Sequence, residues 1–221
     1  MRFWGEMLLR RVSAVLVVLA PLLTAGWFAL CPQYGNPGCP GGPSPISAYR
    51  SAPDPLLVAF LFVNLIVPYV YPLSYLGLGW LALPRAPLLA TLGMAAGWVG
   101  SIPFGYFADQ SGLLAAMARL HYDQSYAALI GEYMRDPHLL VVSTGWVIGH
   151  LLAYVLLGIA LLRSRMTPAW SGAVLIAAAF VMGPLAYGTG LNALQVSGFI
   201  AIAVASMPVG ARLWVGRSAV P

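Results

Sequence analysis

MTPAWSGAVLIAAAFVMGPLAYGTGLNALQVSGFIAIAVASMPVGA, the stretch from Met166 to Ala211, contains no charged residue. A bilayer core about 30 Å thick needs roughly 20 apolar residues of helix, so this stretch has room for two spans. Tyr187-Gly188-Thr189-Gly190-Leu191-Asn192 marks the tight turn between them. Working outward, charge is also absent from Val12 to Tyr49, Pro55 to Pro84, Ala86 to Ala108 and Pro137 to Leu162. Each of these holds one span. The expected fold class is all-α: a polytopic membrane protein, one six-transmembrane-helix bundle over residues 1–221. The predicted spans are about residues 12–30, 56–77, 88–107, 139–162, 169–186 and 193–213. An outer loop covers 31–54 and an outer helical segment covers 109–136.

The charges between the spans set an orientation. On alternate sides, one group is Arg2, Glu6, Arg10, Arg11, Arg85, Arg163, Arg165, Arg212 and Arg217. The other is Arg50, Asp54, Asp109, Arg119, Asp123, Glu132, Arg135 and Asp136. Positive charge in short loops stays cytoplasmic, which predicts both the N- and C-terminus inside. Trp4, Trp80, Trp170 and Trp214 fall at that end, and Tyr34, Tyr49, Tyr106, Tyr122 and Tyr187 at the other, as interfacial belts do. Trp98 and Trp146 fit neither belt. The predicted location is a bacterial cytoplasmic membrane, with the loop from Cys31 to Asp54 on the periplasmic or extracellular face.

Composition narrows the function classes. The chain is 60% hydrophobic and 8% charged, which leaves too little polar surface for a soluble protein. The net charge of +5 belongs to the cytoplasmic rim, where it attracts anionic lipid headgroups. Nucleic acid would require a basic solvated face and is not expected as a partner. All basic residues are Arg, so Schiff-base and phosphate-loop lysine chemistry is absent. Val12 to Leu30 is long for a signal h-region, and Phe28-Ala29-Leu30 before Cys31 offers no small-residue cleavage site, so it reads as a retained first span.

Between Gln110 and Asp136 apolar residues recur at helical spacing: Leu113, Leu114, Met117, Leu120, then Tyr126, Leu129, Ile130, Tyr133 and Met134. Two short amphipathic helices on the outer surface are expected there. Small residues at i+4 spacing predict close helix packing in span three (Gly93, Gly97, Ser101, Gly105), span four (Gly145, Gly149, Ala153) and span six (Ser197, Ala201, Ala205). Pro21, Pro68, Pro103 and Pro184 predict bent spans.

Cys31 and Cys39 lie in a short Pro/Gly-rich loop on the oxidising side, where a structural disulfide is the expected state. His150 is the only ionisable residue other than Tyr deep inside a span. A polar group in hydrocarbon needs partners, so it is either functional or bonded to a neighbour as a neutral ring. Asn64 lies at nearly the same depth. Pro68, four residues on, cannot donate to its carbonyl, so that acceptor and the Asn64 side chain are the expected partners of His150. Asn64, Tyr69, Trp98, Trp146 and His150 together are the candidate ligand-binding residues, one midplane site.

Catalytic constellations are missing. No carboxylate lies in a span, His150 is not followed by a Glu-x-x-His pattern, and Ser143 sits about 10 Å from it along one helix. Bis-His haem lacks a second ligand, since His138 is about 18 Å away on the same helix. His121, Asp123, Glu132, Asp136 and His138 match no metal-ligand spacing, so no metal ligand is assigned and the cofactor is left open. Pro-x-Trp-x-Gly following the basic turn of Gly158 to Gly172 resembles the hairpin of uncharacterised six-span bacterial membrane proteins carrying a domain of unknown function. That resemblance covers about the last 80 residues and implies fold and topology without residue roles. Three functional readings follow. The first is a non-catalytic accessory subunit or binder of a lipid-like or quinone-like ligand, with membrane lipids, other proteins or a second copy as partners. The second is a small-solute permease with a midplane site, and the third a haem-binding or enzymatic protein.

Overall fold

The computed structural model describes residues 2–32, 45–120, 124–133 and 135–216. Every regular element in them is helical: α1 (Arg2–Leu30), α2 (Pro45–Ser51), α3 (Asp54–Ala82), α4 (Pro87–Arg119), α5 (Gln124–Tyr133), α6 (Pro137–Ser164), α7 (Ala169–Thr189) and α8 (Asn192–Val215). Six of these, α1, α3, α4, α6, α7 and α8, are long and apolar enough to cross a membrane. α2 and α5 are too short.

Local chemistry sets the ends. α4 and α6 begin with proline, whose fixed φ suits the first helical position and whose missing N–H is no loss there. The Asp136 side chain accepts from the His138 amide at 2.7 Å, capping α6. α7 and α8 end at Gly190 (φ 68°) and Gly216 (φ 70°), the left-handed conformation that closes a helix. Pro21, Pro68, Pro72, Pro103 and Pro208 lie inside continuous helices. At Pro184 the backbone widens into a π turn, Val181–Leu185, within α7.

The segment between the third and fourth spans differs from the sequence-based expectation. In place of two surface helices, α4 runs on unbroken to Arg119 and only α5 is separate. Nothing from Gln110 to Arg119 forces a helix to stop, and the extension finds a partner. Leu114 and Met117 are buried while Leu113 is exposed, and the extension packs against α2. The outer loop also holds more structure than its Pro/Gly content suggested, since Ile46 and Tyr49 of α2 are buried, Tyr49 edge-on to Phe60 at 6.1 Å. At the other end of the chain α1 extends back through Arg10 and Arg11 to Arg2. Cys31 is buried at the end of α1, and Cys39 lies outside the described residues together with the expected disulfide. His121 and Asp123 lie outside them too.

The Arg-rich turns gather at one end of the bundle. Arg10 Nη1 donates to the Gly216 carbonyl at 3.4 Å, joining the start of α1 to the end of α8. Arg85 Nη1 donates to the Ser164 carbonyl at 3.0 Å, joining the α3–α4 turn to the end of α6. At the opposite end Asn192 Nδ2 donates to the Phe28 carbonyl at 2.9 Å.

Small residues bring backbones together where the ridges run. A Cβ on Gly149 of α6 would lie 2.5 Å from the Gly100 Cα of α4, and one on Gly100 would lie 2.8 Å from the His150 amide nitrogen. Glycine is required at this crossing because any side chain would separate the helices. Gly93 packs against Leu157, but Gly105 and Gly145, on the same predicted ridges, have open space above them. On α8, Ala205 is buried and its carbonyl accepts from the Ser171 hydroxyl of α7.

Candidate functional site

The five candidate residues do not form one site. Asn64, Tyr69 and Trp98 line a groove of about 720 Å³ between α3 and α4, whereas Trp146 and His150 do not. The dividing wall is α4 itself. Gly93 and Gly100 face α6, while Trp98, Ile102 and Gly105, on another side of the helix, face the groove.

The groove opens sideways. Leu65, Tyr69, Trp98 and Ile102 are all exposed, Tyr69 at 73% and Trp98 at 48%, on two of the helices long and apolar enough to cross a membrane. Its floor combines Asn64 with small residues. Asn64 is only 2% exposed, and its Oδ1 accepts from Trp27 Nε1 at 2.6 Å. Ser101 Oγ donates to the Gly97 carbonyl at 2.6 Å, one turn back on its own helix. Gly105 and Gly112 leave that end of the groove open, because no described residue lies within 4 Å of where a Cβ would stand on either. The polar groups of the floor thus hold protein partners, and the surface offered to a ligand is apolar and aromatic.

The interior is a closed aromatic stack. Phe104 and Trp146 lie 4.7 Å apart between centroids, Trp146 and His150 4.3 Å, and His150 stacks on Phe199 at 6.2 Å. His150 Nδ1 is 2.6 Å from the Trp146 carbonyl oxygen. A carbonyl only accepts, so Nδ1 carries the proton of the neutral ring and Nε2 is an acceptor. Nε2 is buried with no hydrogen-bond partner among the described residues. His150 therefore bonds to its own helix, one turn back, instead of to the Asn64 side chain or the Asn64 carbonyl that Pro68 leaves free. Equal depth on two helices does not make residues meet, because the rotation of each helix about its axis decides which faces oppose. Asn64 turns toward Trp27 of α1, and His150 toward α8.

Three interior groups escaped the sequence reading. Tyr71 and Tyr154 share a hydrogen bond of 2.7 Å between hydroxyls, and Tyr75 packs on Tyr71 at 5.2 Å. Trp27 satisfies Asn64, as described above. Gln195 Nε2 donates at 2.8 Å to the Met182 carbonyl inside the π turn of α7. A signal for Tyr154 did exist, since it follows His150 by four residues and so shares its face of α6.

Among the described residues no group of three or more His, Cys, Asp or Glu could hold a metal ion. Arg135 and Glu132 form an exposed pair at 3.6 Å, worth little in water. No family model matches the chain, and comparison with curated proteins and with solved structures likewise gives no match.

Proposed function

We propose that this chain is a non-catalytic integral membrane protein that holds a lipid-like molecule with a long apolar portion, a quinone-like one included, in the lateral groove between α3 and α4. The observation that carries this is the sideways opening of the groove: its exposed rim is Leu65, Tyr69, Trp98 and Ile102, and its buried polar floor is bonded within the protein. A ligand arriving from the bilayer needs no aqueous path and keeps most of its surface in apolar surroundings. The volume of about 720 Å³ falls within the usual range for small-molecule sites. Tyr69 and Trp98 offer flat faces to a ring, and Gly105 and Gly112 leave room for a chain.

The accompanying topology places both termini and the Arg-rich end in the cytoplasm of a bacterial cell, with α2 and α5 on the periplasmic or extracellular face. Within that membrane the chain serves as an accessory subunit or ligand-holding component. Cysteine labelling of single-Cys variants at the α3–α4 turn and in α5 tests the orientation, and labelling of the turn from outside overturns it.

The permease alternative draws less support. Its five residues divide between the lateral groove and a buried aromatic interior, so they do not all line one cavity. The discriminating experiment is purification in mild detergent followed by solvent extraction and mass spectrometry. A stoichiometric apolar molecule that disappears when Gly105 is replaced by Leu supports the lipid-binding reading. A protein free of such a molecule that carries neutral solutes into liposomes favours the permease.

A further inference from the structure

A second groove lies at the Arg-rich end, between the start of α1 and the end of α8. It is lined by Arg11, Val12, Val15, Leu16 and Trp214 and encloses about 300 Å³. The guanidinium carbon of Arg11 stands 5.4 Å from the centroid of the Trp214 ring, which holds the cation at the mouth of an otherwise apolar cleft. Arg10 is differently engaged. Its Nη1 donates to the Gly216 carbonyl, closing the C-terminal end of α8. Arg11 has no carboxylate within ion-pair distance among the described residues, and Glu6, five residues earlier, lies about 140° away around the same helix. From Arg11 an exposed apolar stripe of Val12, Val15, Leu19 and Leu22 runs along α1 into the span.

We propose that this groove binds an anionic phospholipid of the surrounding leaflet, its phosphodiester on Arg11 and one acyl chain along Val12, Val15 and Leu19. Charge complementarity selects the occupant. A planar guanidinium held over an aromatic ring offers paired N–H donors to phosphate oxygens. A zwitterionic lipid brings a second cation to a rim that already holds Arg10 at the start of α1 and Arg212 at the end of α8. A water-soluble anion would leave the apolar wall uncovered, whereas a phospholipid covers both parts at the depth where headgroup and chain divide. The site is independent of the α3–α4 groove, which lies on other helices and has no cation among its described lining residues.

The test is native mass spectrometry of the detergent-purified full chain offered phosphatidylglycerol and phosphatidylcholine at equal concentration. The wild-type protein is expected to retain phosphatidylglycerol preferentially, and Arg11→Gln to lower that preference roughly fivefold. Arg163→Gln, a charge loss at the same end outside the groove, is expected to leave it intact. Val15→Trp, at a half-exposed position that tolerates bulk, fills the cleft and lowers phosphatidylglycerol occupancy with Arg11 in place, so it carries the test even if Arg11→Gln fails to fold. Equal retention of both lipids overturns the proposal. So does an equal effect of Arg163→Gln and Arg11→Gln, an unchanged occupancy in Val15→Trp, or displacement of the lipid by excess glycerol phosphate.

Discussion

The two sides of α4 carry opposite kinds of chemistry within one helical turn. Toward α6, Gly100 lies against Gly149 so closely that no side chain fits, and behind that contact Trp146, His150 and Phe199 form a buried stack. Toward α3, Trp98, Ile102 and Gly105 border an open groove in which bulk could be added without moving a neighbour. The same residue type, glycine, has two meanings here. At Gly100 it permits contact and at Gly105 it leaves space. Polar residues divide in the same way: Asn64 is settled by a partner from a third helix, and His150 Nε2 finds no hydrogen-bond partner among the described residues.

The largest expected effect comes from Gly149→Leu. Its Cβ would meet the Gly100 backbone 2.5 Å away, so the α4–α6 crossing must open, at a cost of about 3 kcal/mol or loss of the folded monomer. Thermal unfolding in detergent and size-exclusion chromatography measure it. Gly105→Leu, the matching change on the groove side, should shift stability by less than about 0.5 kcal/mol. If the two variants behave alike, the two sides of α4 are not different in kind.

The next effect belongs to Tyr71→Phe, which leaves the buried Tyr154 hydroxyl without its 2.7 Å partner and should cost about 1–2 kcal/mol. The double variant Tyr71→Phe/Tyr154→Phe should be less destabilised than the sum of the single variants, since it removes both halves of the bond. Strict additivity in that cycle would show that the bond contributes nothing.

How much of this division was legible beforehand depends on the residue. Charge spacing was enough to expect six long apolar helices, because a single Arg or Asp is costly in hydrocarbon and so marks where a span must end. The aromatic belts pointed at the groove indirectly, through Trp98, a tryptophan placed where no interface should be. The extension of α4 to Arg119 was hidden, since apolar periodicity reports a buried face but not whether the helix bearing it continues the preceding span. The partners of Asn64 and His150 were hidden for a different reason. Sequence gives depth along a helix, and only packing gives its rotation. Gly100 lies off the i+4 ridge of Gly93 and Gly97, so ridge spacing does not point to it, although its backbone lies directly against Gly149 of α6.

The smallest expected effect is at His150. Its bond to the Trp146 carbonyl stays within one helix, and that carbonyl also serves the helix ladder, so removing the ring nitrogen orphans little. His150→Phe keeps the stack on Trp146 and Phe199 and deletes the unpartnered Nε2. Stability should therefore change by less than about 0.5 kcal/mol, or rise. A loss above about 1.5 kcal/mol would mean that Nε2 is engaged in the membrane, and His150 would return as a ligand-binding residue.

Occupancy of the α3–α4 groove in the membrane is the property on which the proposed function depends. Mass spectrometry of the solvent extract from wild-type and Gly105→Leu protein, purified side by side in mild detergent, measures this. One apolar molecule per chain in the wild type, absent from an equally stable Gly105→Leu variant, is the predicted result. The same molecule retained at the same stoichiometry in the variant, or an extract holding only bulk detergent in both, would contradict it.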